Sequence, residues 1–145
     1  MELRAATDAD WPRAWAIQRE AFLDSVTRTY GGWTEEQVRK CEEAWDAAQT
    51  RIIEVDGRFV GWVRVVHEAE RDWLDLIVVS AEARGSGLGT AVMEALVAQA
   101  HARGVPLWLS VYRTNPARRL YRRLGFGERD RDDIRVWMWS VVSSR

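Results

Sequence analysis

An apolar run of Leu74, Leu76, Ile77, Val78 and Val79 breaks at Ser80 into Ala81-Glu82-Ala83-Arg84-Gly85-Ser86-Gly87-Leu88-Gly89-Thr90. The amphipathic stretch Ala91 to Arg103 follows. This order predicts a buried strand, a glycine-rich turn and a helix that opens at the turn. Gly85, Gly87 and Gly89 let the backbone bend where other residues resist, and they bring no side chain to hold a ligand away. The first turn of a helix leaves N–H groups unpaired, with partial positive charge aimed at the same place. Such a turn suits a phosphate or pyrophosphate. Arg84 stands beside it and offers a charge-assisted contact.

The phosphate-binding loop of nucleotide triphosphatases needs Gly-Lys-Ser or Gly-Lys-Thr, and neither occurs in the chain. The dinucleotide fingerprint calls for a further glycine where Thr90 stands. It also calls for an acid about 20 residues on, where this chain reads Leu107-Trp108-Leu109-Ser110. What the spacing matches is Arg-x-x-Gly-x-Gly, as Arg84, Gly87 and Gly89. This resembles the acetyl-CoA pyrophosphate loop of the GCN5-related N-acetyltransferase (GNAT) superfamily.

The segment Asn115-Pro116-Ala117-Arg118-Arg119-Leu120-Tyr121-Arg122-Arg123-Leu124-Gly125-Phe126 is similar to the other signature of that superfamily. Its local physics is self-consistent. Asn115 suits an N-cap and Pro116 a first helical position. Leu120, Tyr121 and Leu124 share one face. Gly125 is placed to end the helix, with Phe126 packing back beyond it. The two motifs occur in the family's order.

Composition narrows the class from the other side. A chain of 145 residues suits a single domain, 1–145, with one sizeable core. The net charge of −1, with acids and bases interspersed, offers nothing to nucleic acid or an anionic membrane. No apolar run is long enough to span a bilayer, and the N-terminus lacks the regions of a signal peptide. The single cysteine, Cys41, excludes an internal disulfide and fits a reducing cytoplasm. His67, His101 and Cys41 show no metal-ligand spacing, so no metal is expected.

Periodicity predicts strands at 3–6, 51–55, 59–66, 73–79, 106–111 and about 134–141, with a further short strand near 127–130. It predicts helices from a Thr7 cap to about Leu23, from a Thr34/Gln37 capping box to about Ala48, over 91–103, and over 115–124. Asp56-Gly57 marks a hairpin. Residues 24–33, with Tyr30-Gly31-Gly32-Trp33, read as a loop. In the last strand Ile134, Val136 and Met138 alternate with Trp137, Trp139 and Val141, as in a strand covered on both faces. The class is α/β (α+β). The resemblance implies the GNAT fold: a mixed sheet of six to seven strands, about four helices, and a splayed strand pair holding acetyl-CoA.

The resemblance also implies roles. Arg84, Gly85, Ser86, Gly87, Leu88, Gly89 and Thr90 would cradle the pyrophosphate. Backbone groups of Ile77, Val78 and Val79 would pair with the pantetheine arm, and the N–H of Val78 or Val79 would polarise the thioester oxygen. Asn115 caps its helix and is a candidate cofactor contact. Tyr121 occupies the general-acid position, where a phenol with a pKa near 10 remains protonated at neutral pH. Relatives that acetylate protein N-termini often carry a glutamate in the fifth strand. Here that region offers Ser110, which is no strong base. Asp75, a water relay, or an outer acid such as Glu68 or Glu70 remains for the base.

Nine tryptophans invite a substrate reading. Trp33, Trp45, Trp62, Trp73 and Trp108 are either an aromatic wall for a cationic or aromatic acceptor, or core. Tyr30 and Trp33 sit where the family's acceptor loop falls. Arg113, Arg118, Arg119, Arg122 and Arg123 form a basic group, mostly a solvated face, with one or two available to the 3′-phosphate of CoA. The implied activity is acetyl transfer from acetyl-CoA to a small-molecule or peptide amine by direct transfer in a ternary complex. A homodimer is compatible with it. A different acyl group, a hydroxyl acceptor, or a non-catalytic acyl-CoA sensor are the alternatives.

Overall fold

A computed structural model describes residues 1–140. Seven strands form one sheet in the order β1-β2-β3-β4-β5-β7-β6. They are β1 (Glu2–Ala5), β2 (Thr50–Val55), β3 (Arg58–His67), β4 (Asp72–Val79), β5 (Leu107–Tyr112), β6 (Phe126–Arg131) and β7 (Arg135–Ser140). Five helices accompany them: α1 (Trp11–Ala21), α2 (Leu23–Tyr30), α3 (Glu35–Ala44), α4 (Leu88–Ala102) and α5 (Arg118–Arg123). The sheet is mixed. β1, β2 and β3 pair antiparallel, β4 and β5 pair parallel, and β7 runs antiparallel to both β5 and β6.

The chain divides into two compact units, one of residues 1–64 and 76–86, the other of residues 65–75 and 87 onward. In the first, the Asp56-Gly57 turn joins β2 to β3 with both residues at positive φ, as that hairpin requires. Its core gathers Ala14 and Ile17 from α1, Ile52 from β2, Trp62 from β3 and Val78 from β4. The Trp62 indole N–H donates to the Ala14 carbonyl at 3.1 Å, so the largest side chain of this core carries no unpaired polar group. Each large apolar side chain buried this way contributes about 1.5–3 kcal/mol.

In the second unit β5 alternates strictly. Leu107, Leu109 and Val111 are buried, while Trp108, Ser110 and Tyr112 are more open. β7 does the same, with Val136, Met138 and Ser140 inward. α4 lies against β5 and buries Leu88, Val92, Met93, Leu96 and Ala100. Ser140 is buried but satisfied. Its Oγ accepts from the Leu107 N–H at 3.0 Å and lies 3.1 Å from His101 Nε2.

Several boundaries correct the sequence reading. Residues 23–30 are a helix, not a loop, which brings the helices to five. Asp24 in the first turn and Arg28 in the last complement the helix dipole, and Gly31 at φ +80° ends it. The Thr7–Asp10 cap is present, with the Thr7 N–H donating to Asp10 Oδ2 at 2.9 Å, but it opens a 3-10 turn and α1 starts at Trp11. α3 stops at Ala44 because Trp45 is extended, and Asp46 caps a separate 3-10 turn. Ile134 precedes β7 and is 62% exposed, so it joins neither face of that strand. Val141 lies outside the described residues.

Candidate active site

Beyond Val79 the chain makes a 3-10 turn at Ala81–Ala83, and α4 begins at Leu88. Gly85 (φ +75°) and Gly87 (φ +79°) both adopt the left-handed conformation, and Gly87 is the N-cap of α4. A Cβ built on Gly85, Gly87 or Gly89 would meet nothing within 4 Å. No packing demand explains three glycines here. Two are favoured by backbone angle, and at Gly89 the space a Cβ would take is open. The first intrahelical bond runs from the Ala91 N–H to the Gly87 carbonyl at 3.1 Å, so the N–H groups of the preceding turn have no helical partner. Leu88, 8% exposed, anchors this turn in the core. The residues fit a phosphate-bearing group in the simplest sense: a cradle of donors with room above it.

The strand before the loop is tightly held. The Ser80 N–H donates to the Val60 carbonyl at 2.8 Å, and Val78 is 2% exposed. Arg84 turns back along the chain and donates from Nε and Nη2 to the Val79 carbonyl at 3.3 and 3.2 Å, while Ser86 Oγ donates to the Ala83 carbonyl at 2.7 Å. Gly61, which the sequence reading passed over, makes this arrangement possible. Its missing Cβ would overlap the Val78 carbonyl oxygen.

Tyr121 lies on α5, half-buried, with its ring centroid 6.0 Å from that of Phe126. Burial pushes the phenol above its ordinary pKa of 10, so it holds its proton at neutral pH. α5 is shorter than expected. Asn115 caps as predicted, its Oδ1 accepting from the Ala117 N–H at 2.9 Å, but it caps a turn, and the helix proper starts at Arg118. Gly125, at φ +94°, ends the segment. Of the arginines, Arg118 and Arg122 converge on Glu128 Oε1 at 2.6 and 2.5 Å. Burial opposes ionisation of Glu128, yet these two donors prevail and hold its carboxyl below the usual value. Arg119 and Arg123 are exposed.

Tyr30 closes α2 and is 64% exposed. Trp33 follows the two glycines after α2, and its indole N–H donates to the Arg19 carbonyl at 3.1 Å. It lines a cavity of about 500 Å³ with Ala16, Arg19, Glu20 and Leu23. Asp75 is exposed, and Glu68 is engaged by Arg71 at 2.9 Å. Of the tryptophans, Trp33, Trp45 and Trp62 are joined by ring contacts through Trp15 and Trp11. Trp62 is 1% exposed and packs edge-on against Trp45, while Trp73 and Trp108 belong to a separate stack with Trp139.

Pattern reading missed a polar cluster in the second unit. The Asp72 carboxylate, 1% exposed, contacts His67 Nδ1 at 2.7 Å and Arg103 Nη1, and Arg103 Nη2 donates to the Glu68 carbonyl at 3.0 Å. An acid at the start of a mainly apolar strand marks the position of Asp72 but not its partners. Among the described residues no group of three or more His, Cys, Asp or Glu side chains is placed to hold a metal. No helix among them is long and apolar enough to cross a membrane.

A mixed sheet in which a parallel strand runs through a glycine loop into a helix is an α/β arrangement of one recognisable kind. Residues 11–126 match the Acetyltransferase (GNAT) family, and the chain belongs to that family. Mycothiol acetyltransferase from Thermobispora bispora is 36% identical over 125 residues, covering 78% of this chain. The chain spans only 42% of that relative's length. The ribosomal-protein-S18-alanine N-acetyltransferase of Escherichia coli superposes with a TM-score of 0.74 at 24% identity, over 99% of this chain and 95% of the other. The PaiA N-acetyltransferase of Thermoplasma acidophilum, solved in complex with coenzyme A, gives 0.75 at 16% identity, over 96% and 97%. These likenesses establish the GNAT fold.

Proposed function

We propose that the chain, as one domain over residues 1–145, is an acetyl-CoA-dependent N-acetyltransferase that moves the acetyl group directly to an amine in a ternary complex. The observation that carries this reading is the loop at 84–90, where left-handed glycines and open space meet a helix start. Family membership and the coenzyme A complex of the Thermoplasma acidophilum enzyme support the same ligand.

Acetyl-CoA supplies an activated thioester. The backbone N–H groups of residues 87–90 and the guanidinium of Arg84 bind its pyrophosphate, Arg84 exchanging its present bonds to the Val79 carbonyl for charged ones. Ile77, Val78 and Val79 offer backbone groups to the pantetheine arm. The ladder of β4 with β5 pairs Asp72 with Leu107 and Trp73 with Trp108, and these three residues lie further along β4. An N–H of Val78 or Val79 polarises the thioester oxygen. Tyr121 delivers a proton to the leaving thiolate, a role suited to a phenol that burial keeps protonated. Asn115 orders the turn before Tyr121 and keeps its amide N–H groups for the cofactor. Asp75 or a water relay takes the proton from the amine.

Trp33 and its cavity, with Tyr30 nearby in sequence, form the acceptor side. The acceptor is a small-molecule or peptide amine, and the cytoplasm supplies both substrates. A non-catalytic acyl-CoA sensor would also bind the cofactor, so binding alone does not separate the two. Free-thiol release measured against a panel of amines does. Turnover with any amine is the expected result, and tight CoA binding without turnover across the panel overturns catalysis in favour of sensing.

A further inference from the structure

The more open face of β5 and β7 carries a guanidinium held in place by a hydroxyl and a ring rather than by a close carboxylate. Ser110 pairs in register with Trp137, and Tyr112 with Arg135. Alternation sets these residues on the face opposite Leu109, Val111, Val136 and Met138. Arg135 Nη1 donates to Ser110 Oγ at 3.1 Å, and its guanidinium lies 4.7 Å from the centroid of the Tyr112 ring. Tyr112 is itself 55% exposed.

Among the described residues no carboxylate lies within ion-pair distance of the Arg135 guanidinium, and Asp132 acts on it only through longer-range charge attraction. The nearby acid, Asp132, directs its Oδ1 to the backbone N–H groups of Arg135 and Ile134, at 2.7 and 2.8 Å. A stacked and tethered guanidinium has already lost most of its rotamer freedom, and its forked N–H edge matches a carboxylate. The position is also apt. Tyr112 ends β5, the turn at Asn115 and the helix of Tyr121 follow, and open α/β sheets take their ligands beyond the carboxyl ends of their strands.

We propose that Arg135 is a specificity-determining residue, receiving a carboxylate that belongs to the amine acceptor. The inference rests on the acetyl-transfer reading and deepens it. The substrate class is a molecule with a primary amine and a carboxylate. Ser110 is part of the device. A glutamate at 110 would place an acid on Arg135 permanently and occupy the site from within, whereas serine orients the guanidinium and leaves its charge available.

The test uses amino acids, each paired with its carboxamide and with the amine lacking the carboxyl group, and short peptides with and without an acidic residue. Hydrogen bonds to a charged group contribute about 1.5–3 kcal/mol, so the wild-type kcat/KM should favour the carboxylate member by about tenfold or more. Arg135→Ala should raise KM for carboxylate acceptors by that factor, leaving KM for acetyl-CoA and for the uncharged amines unchanged. Arg135→Lys should recover part of the preference, and Ser110→Glu should abolish it. Preference among free amino acids assigns the carboxylate to a small molecule, and preference confined to acidic peptides assigns it to a peptide. Equal rates within each pair, or an Arg135→Ala loss that strikes every amine equally, overturns the proposal. Binding keeps the two readings apart. If no amine is acetylated, a carboxylate-dependent change in tryptophan fluorescence, lost in Arg135→Ala and partly kept in Arg135→Lys, still supports the site. Its absence in the wild type overturns it.

Discussion

A Cβ on Gly61 would overlap the carbonyl oxygen of Val78 and stand 3.2 Å from the Val79 Cα. β3 therefore passes the end of β4 at a distance that only glycine permits, and it does so beside the backbone groups assigned to the thioester and pantetheine. Gly61→Ala must push that segment aside. Overpacking of this kind costs about 1–3 kcal/mol, so the melting temperature should fall and acetyl-CoA should bind more weakly. Thermal denaturation and titration calorimetry read the two effects. Unchanged acetyl-CoA affinity in a folded, less stable variant would remove Val78 and Val79 from the cofactor site.

Gly89 gives the converse experiment. It is helical, it has ordinary φ, and its absent Cβ faces open space. Gly89→Ala should leave stability unchanged or raise it, by at most about 1 kcal/mol from helix propensity. A methyl group there nonetheless stands where phosphate oxygens must approach, and loss of one charge-assisted hydrogen bond is about tenfold in Kd. Weaker acetyl-CoA binding by an equally stable protein is the expected result. Gly87→Ala differs, since its left-handed backbone adds a cost of about 1–2 kcal/mol. Wild-type affinity in Gly89→Ala would remove the loop from the cofactor site.

The legible parts of the chain were those where local chemistry and the fold make the same demand. The loop at 84–90 and the Asn115–Phe126 segment announce themselves because glycine conformation, capping and periodicity act over a few residues. The succession of strands and helices along the chain followed from the same periodicities. α2 was hidden by its short length and by the two glycines at its end, which resemble loop punctuation while serving as a helix stop. Gly61 and Asp72 were illegible for another reason. Each answers to residues distant in sequence, Gly61 to Val78 and Asp72 to Arg103, and no local pattern encodes such a meeting. Arg135 belongs with them. In sequence it is one arginine among many, and only register sets it against Ser110 and Tyr112.

Arg4 and Asp10 form a forked pair, with Nη1 to Oδ2 at 2.9 Å and Nη2 to Oδ1 at 2.8 Å. The hydrogen bonds from Arg4, more than any other contact, hold the Asp10 carboxyl below its ordinary value. A carboxyl with a depressed folded pKa binds more protons when unfolded. Its contribution to stability is therefore complete above the unfolded pKa of about 3.9 and disappears as pH falls through the folded value. Asp10→Asn should lower the melting temperature at pH 7 and narrow its difference from the wild type below pH 4. A gap that stays constant down to pH 2 would show that the pair contributes through packing, not charge.

Proton transfer to the departing thiolate is the most exposed step of the proposed mechanism. Tyr121→Phe keeps the ring against Phe126 and removes only the hydroxyl. A positioned acid contributes about 10²–10⁴-fold, so kcat should fall by that range with little change in acetyl-CoA affinity. Burial raises the Tyr121 pKa, which puts the alkaline limb owed to its deprotonation above pH 10. An activity loss between pH 8 and 9 that vanishes in Tyr121→Phe would contradict that assignment. The base is tested separately by Asp75→Asn. If Asp75 takes the amine proton, the defect should shrink as pH rises and the neutral amine becomes abundant, whereas a uniform defect assigns the proton to water. Full activity in Tyr121→Phe would leave the thiolate to be protonated by solvent and reduce Tyr121 to a packing residue.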